Sequence, residues 1–160
     1  ALETFLKARE EGKTRFIGFS AHTEEAAIEL MNRFDFDTIL APFNWVCWHQ
    51  GKFGARMLAA AQEKGMGILA LKALAKRRWK EGEPRRWAKC WYSPVDSYEE
   101  AKLALRFTLS KPITAAVSPG HAELLWWACD AADSFTPLTP EEEEIIARNS
   151  EGLEPIFPQN

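Results

Sequence analysis

Apolar positions along this chain switch repeatedly between helical spacing and short unbroken runs. Leu2, Phe5 and Leu6 recur as on one helix face and lead into Gly12, a helix stop. Residues 15–20, RFIGFS, read as a strand. Thr23 then caps a helix whose first turn carries Glu24 and Glu25, with Ala27, Ile28, Leu30 and Met31 on its stripe. A second strand is expected over 38–44, TILAPFN. The next helix runs from about Gly54 to Lys64, with Met57, Leu58 and Ala61 on one face and Gly65 at its end. The run GILALKAL at 67–74 is nearly all apolar, which suits a strand covered on both faces.

Residues 75–96, AKRRWKEGEPRRWAKCWYSPVD, break this rhythm and read as a long basic, aromatic loop, of the kind compact domains keep for function. A helix follows over 97–110, then a fourth strand, PITAAVS, over 112–118. Another helix spans about 122–132. Thr139, Pro140 and Glu142 form a capping box with proline at the first helical position, so a last helix runs over 139–149. Residues 151–160 read as an irregular tail.

The predicted order is α-β-α-β-α-β-α-β-α-α. Strict alternation implies right-handed crossovers and a parallel sheet in an α/β fold. Two architectures fit, a doubly wound sheet and half of an eightfold β/α barrel. Both gather function at the carboxyl ends of the strands. There one polar residue closes each strand: Ser20, Asn44, Lys72 and Ser118.

Charge and composition narrow the classes. The chain has 160 residues, a formal net charge of −3 and 46% hydrophobic residues. That describes an ordinary globular domain without the basic footprint of a nucleic-acid binder. No apolar run approaches the ~20 residues of a membrane span. Cys47, Cys90 and Cys129 are odd in number and far apart, so a reducing, cytoplasmic setting is expected, with no disulfide framework. No metal site is expected either, since Cys47 and His49 lack further ligands at a recognisable spacing. The chain opens in what reads as mid-helix, so it is expected to be a piece of a longer protein.

The stretches GKTRFIGFSAH, FDFDTILAPFNW, EKGMGILALKAL and ITAAVSPG…FTPLTPEEE together resemble the C-terminal half of the aldo-keto reductases, in the bacterial branch that reads IGFS-x-H. The resemblance covers about Gly12 to Glu144. It implies strands five to eight of a parallel β/α barrel of TIM type, making 1–160 a single partial domain. It also implies a nicotinamide cofactor, NADP or NAD, and a small carbonyl or alcohol substrate. Ser20 matches the serine that meets the nicotinamide carboxamide in that family, and Asn44 falls where a Gln or Asn shares the contact. Leu71 stands where the family stacks a Tyr, offering an apolar face. Lys72 is placed to reach a cofactor phosphate, and Ser118 and Gly120 fall at the phosphate-side strand end. The family's catalytic Asp, Tyr, Lys and His lie on the first four strands, so no catalytic residue is assigned here and the partner implied is the missing N-terminal half.

Each assignment has a plainer counterpart. Ser20 also reads as a turn residue, Asn44 as a cap for loop backbone, and Lys72 as one arm of an ion pair. Trp45 and Trp48 are expected at a substrate mouth or barrel rim, and Trp126 and Trp127 in the core. A non-catalytic half-barrel that serves as a binding or structural module is the alternative function. Either way, an uncovered half-barrel exposes apolar strand edges, so the chain alone is expected to self-associate.

Overall fold

A computed structural model describes residues 1–158; Gln159 and Asn160, the end of the expected tail, lie outside it. Four parallel strands form one sheet: β1 (Gly18–Ser20), β2 (Thr38–Pro42), β3 (Gly67–Leu71) and, after a hairpin of β4 (Ala75–Arg78) and β5 (Tyr92–Pro94), β6 (Ala115–Val117). The sheet order is β1-β2-β3-β6, each strand beside its predecessor in the sheet, as a winding barrel requires. The helices are α1 (Leu2–Glu10), α2 (Glu24–Arg33), α3 (Trp45–His49), α4 (Ala55–Glu63), α5 (Tyr98–Leu109), α6 (Ala122–Asp133) and α7 (Pro140–Ser150).

Register divides the sheet into two unlike faces. Phe19, Ile39 and Ile68 lie side by side, as do Ala70 and Ala116. Ile39, Ala41, Ile68 and Ala70 are buried, in one core with Ala27 and Met31 of α2, Met57 and Ala61 of α4, and Leu105 of α5. Full burial of side chains such as Met31, Ile39, Met57 and Ile68 stabilises the fold by roughly 1.5–3 kcal/mol each. Strand alternation sends Leu40, Leu69, Leu71 and Val117 to the opposite face. None of them is fully buried, and Val117 is 42% exposed. One face of the sheet is therefore a core and the other an apolar wall facing outward.

Local chemistry sets the ends of these elements. Gly12 (φ 71) closes α1 in a Schellman motif, with the Lys13 N–H on the Ala8 carbonyl and the Gly12 N–H on that of Arg9. Gly18 is required by packing, since a Cβ there would lie 2.1 Å from Thr38 Oγ1. The buried Glu24 carboxylate accepts the Gly54, Arg56 and Met57 N–H groups at 2.8, 3.0 and 3.1 Å, and so caps α4 from the start of α2. Arg106 of α5 grips Glu142 through both guanidinium ends at 2.5 and 2.7 Å and donates to the Thr136 carbonyl. The arginine holds the Glu142 carboxyl at about 2. The expected capping box at Thr139 is present.

Several boundaries differ from expectation, β2 and β3 among them, which end at Pro42 and Leu71 instead of Asn44 and Leu74. β1 begins at Gly18 instead of Arg15, because the Ile17 N–H goes to the Asp37 carboxylate at 2.7 Å and not to a ladder. β6 is shorter than 112–118, and Pro112 has no N–H to offer a ladder. α3 occupies a stretch for which no element was expected. Residues 75–96 are not simply a loop: β4 and β5 pair antiparallel, with Ala75 opposite Pro94 and Arg78 opposite Tyr92. Buried Trp87 pins the segment between them by donating to Asp96 and by edge-on contacts with His121 and Trp127 of the α6 region. Trp126, expected in the core, is 64% exposed.

Candidate functional site

The carboxyl ends of the four parallel strands carry the polar residues singled out in the sequence, and the fold treats them differently. Ser20 closes β1 beside Leu40 of β2 and is exposed. Its hydroxyl meets no hydrogen-bond partner among the described residues. Asn44, two residues past β2, is 2% exposed and caps α3. Its Oδ1 accepts the Cys47 N–H at 2.9 Å and its Nδ2 donates to Cys47 Sγ at 3.4 Å. Trp45 is buried beside it, and Trp48 packs on Phe43 and Phe107 rather than lining an opening.

Lys72 follows β3 in the left-handed region, at φ 69, where the backbone turns and the Ala75 N–H reaches the Lys72 carbonyl at 2.8 Å. That turn starts the β4–β5 hairpin, which folds back over the end of β3. The Lys72 ammonium consequently lies 4.8 Å from the Tyr92 ring centre and 5.5 Å from that of Trp91. The ion pair expected as its plainer reading is absent: among the described residues no carboxylate pairs with Lys72. Leu71, Lys72, Ser118 and Gly120 line one cavity of about 150 Å³, together with Cys90 and Tyr92 from the hairpin. Ser20 and Asn44 lie outside it.

Electrostatics in this cavity are dominated by loss of water. Burial pushes the Lys72 ammonium below the usual lysine range, with Cys90 opposing. Burial pushes the Cys90 thiol up, and outweighs Lys72, the Tyr92 hydroxyl and the Gly120 N–H, which all favour thiolate. Burial also pushes the Tyr92 phenol well above its ordinary value. Each of these groups is therefore biased toward its neutral form. A Cβ at Gly120 would meet nothing within 4 Å, so the backbone there is open to approach.

Cys90, Trp91 and Tyr92 were not legible as site residues, because only the hairpin brings them to Lys72. Phe157 of the tail lies 5.2 Å from the His22 ring and 6.0 Å from that of Trp91, crossing between the two strand ends. A larger apolar cavity of about 270 Å³ lies between α5, α6 and the sheet. It is walled mostly by apolar groups such as Leu105, Leu125 and Ala128, together with Ser118 and Cys129. Among the described residues no cluster of His, Cys, Asp and Glu is placed to hold a metal ion, and no helix is long and apolar enough to cross a membrane.

Comparison with solved structures places this geometry. An aldo-keto reductase of Bacillus halodurans superposes on 96% of the chain at TM-scores of 0.63 in its holo form and 0.64 in its apo form, with 20% and 19% identity. A thermostable aldo-keto reductase in complex with the inhibitor epalrestat covers 92% at a TM-score of 0.59 and 16% identity. The chain has the fold of part of an aldo-keto reductase barrel. It spans just over half of those reductases, 56%, 57% and 53% of their lengths. The outward apolar wall of Leu40, Leu69, Leu71 and Val117 is thus the inner lining of an aldo-keto reductase-like barrel seen without its remaining strands. No family model and no curated protein matches the sequence.

Proposed function

We propose that the chain is the cofactor-side part, strands five to eight, of an aldo-keto reductase-type oxidoreductase acting on small carbonyl or alcohol substrates. One observation carries this reading: the Ser20 hydroxyl stands exposed at a strand's carboxyl end with no partner of its own among the described residues. A nicotinamide, when bound, supplies or takes up the hydride. Ser20 holds the carboxamide end of NADP or NAD. Leu71 gives an apolar wall, and Lys72, Ser118 and the open backbone at Gly120 form the phosphate side, Lys72 acting as a point charge. The proton donor belongs to the missing N-terminal half, so no residue here is catalytic. That half also covers the wall of Leu40, Leu69, Leu71 and Val117 and pairs the edges of β1 and β6. Without it, burial of the same wall drives self-association. Three free cysteines suit a cytoplasmic setting.

The test is titration of NADPH into the chain, followed by energy transfer from tryptophan. Wild-type protein binds, and Ser20→Ala weakens binding about fivefold, the scale of one neutral hydrogen bond. Equal affinity of the two proteins counts against the Ser20 role.

A second reading has an observation of its own. Asn44, the other proposed carboxamide contact, spends both ends of its amide on Cys47. This favours a non-catalytic half-barrel that serves as a binding or structural module. Absence of any nucleotide binding, alone or with a supplied N-terminal half, selects it.

A further inference from the structure

We propose that Lys72 is an imine-forming lysine, which captures small aldehydes and ketones covalently in the cavity between β3, β6 and the hairpin. The chemistry needs no nicotinamide and belongs to the nucleotide-free chain, since a phosphate seated on Lys72 would occupy the same cavity.

Three features of the cavity converge on it. The amine sits in a space of about 150 Å³, which exposed Lys89 also lines, enough for a carbonyl compound of a few non-hydrogen atoms. It also lacks a carboxylate partner, whereas Lys76 and Lys111 are tied to Glu100 and Glu143. A salt-bridged lysine must break its pair before it reacts; Lys72 has none to break. The third feature is the pair of ring faces of Trp91 and Tyr92, which hold the head group at 5.5 and 4.8 Å. Those faces attract cations, so they also favour the iminium ion that the reaction forms. Burial acts on a different step, easing loss of the ammonium proton that frees the amine to attack.

The reaction balances without an oxidant or reductant. Lys72 loses one proton to water, and its nitrogen lone pair attacks the carbonyl carbon. The C=O π pair moves to oxygen, which takes up a proton. The added nitrogen gives up the proton that the oxygen gains, and the carbinolamine hydroxyl then takes back the proton first released and leaves as water, while the nitrogen lone pair closes the carbon–nitrogen double bond of the iminium ion. Ser118, exposed and with no hydrogen-bond partner among the described residues, lines the same cavity.

The experiment uses the chain with propanal and cyanoborohydride near neutral pH, and maps adducts by peptide mass. Lys72 is expected to be alkylated on the order of tenfold faster than exposed Lys7, Lys52 and Lys64, as a partly desolvated amine held in a cavity should be. In denaturing urea that advantage disappears. Lys72→Arg gives no adduct in its peptide and leaves labelling of the other three lysines unchanged. Tyr92→Phe, which keeps the ring face, retains the advantage. The proposal is overturned if native Lys72 reacts no faster than those exposed lysines, or if its advantage survives urea.

Discussion

Ser20 and Asn44 close neighbouring strands, yet the fold has used one side chain and spared the other. Asn44 is buried, and its amide both accepts from and donates to Cys47 as it starts α3. Ser20 is exposed and hydrogen-bonds to no described residue. A polar residue at a strand's carboxyl end is thus not one kind of thing. What separates the two is the chain that follows. After β2 comes a short helix that needs a cap, and Asn44 supplies it. After β1 comes Thr23, which caps α2 itself by accepting the Ala26 N–H and so releases Ser20 from that duty. At the end of β3, Lys72 belongs with Ser20: it is held in place by ring faces but paired with no carboxylate.

Substitutions can break this contrast, and the largest effect is expected at its anchor. Trp87→Ala should cost about 3–5 kcal/mol of stability in denaturant unfolding, the range for truncating a buried Trp. It should also dissolve the kinetic advantage of Lys72, because Trp87 fixes the segment that carries Cys90, Trp91 and Tyr92. A Trp87→Ala protein that unfolds like wild type would detach the hairpin from the core. Next comes Asn44→Ala. Loss of the cap should cost about 1–2 kcal/mol and leave Lys72 labelling intact. If it instead abolishes nucleotide binding without lowering stability, Asn44 is a ligand contact and the contrast fails. Ser20→Ala should shift stability by under about 0.5 kcal/mol, as expected for a surface hydroxyl with no partner.

The smallest effect concerns pH and lies outside both strand ends. The Glu142 carboxyl is held at about 2 by Arg106, below its ordinary value of 4.5. Its contribution to stability is therefore present above about pH 4.5 and lost as pH falls toward 2. Glu142→Gln should flatten that part of the acid unfolding curve and leave the neutral-pH behaviour of Ser20 and Lys72 variants unchanged. An unaltered acid limb would show that the pair does not contribute.

Much of the architecture was readable from spacing alone. The alternation of strands and helices, the capping box at Thr139, and the glycine stops at Gly12 and Gly65 all reflect local chemistry written in a few adjacent residues. α3 was not readable, because five residues with Val and two Trp carry little helix propensity. Its only signal was an Asn at the N-cap. The hairpin was missed for another reason. AKRR and YSP lack the alternation of a half-buried strand, and they pair across a gap bridged by Trp87 and by the Arg77–Glu83 ion pair. The Lys72 cavity inherits that difficulty, since Tyr92 lies twenty residues further along and is delivered only by the hairpin. Ser20 and Asn44 looked alike in sequence because both close apolar strands. Telling them apart requires knowing which helix each must cap.

In the proposed function the free strand ends, and not the committed one, meet a nicotinamide nucleotide. Amide hydrogen exchange of the chain with and without NADP tests it most directly. Slowed exchange is expected over 18–22 and 117–121 on nucleotide addition, with the segment around Asn44 protected equally in both states. Unchanged exchange at both strand ends, or protection confined to other surfaces, would contradict it.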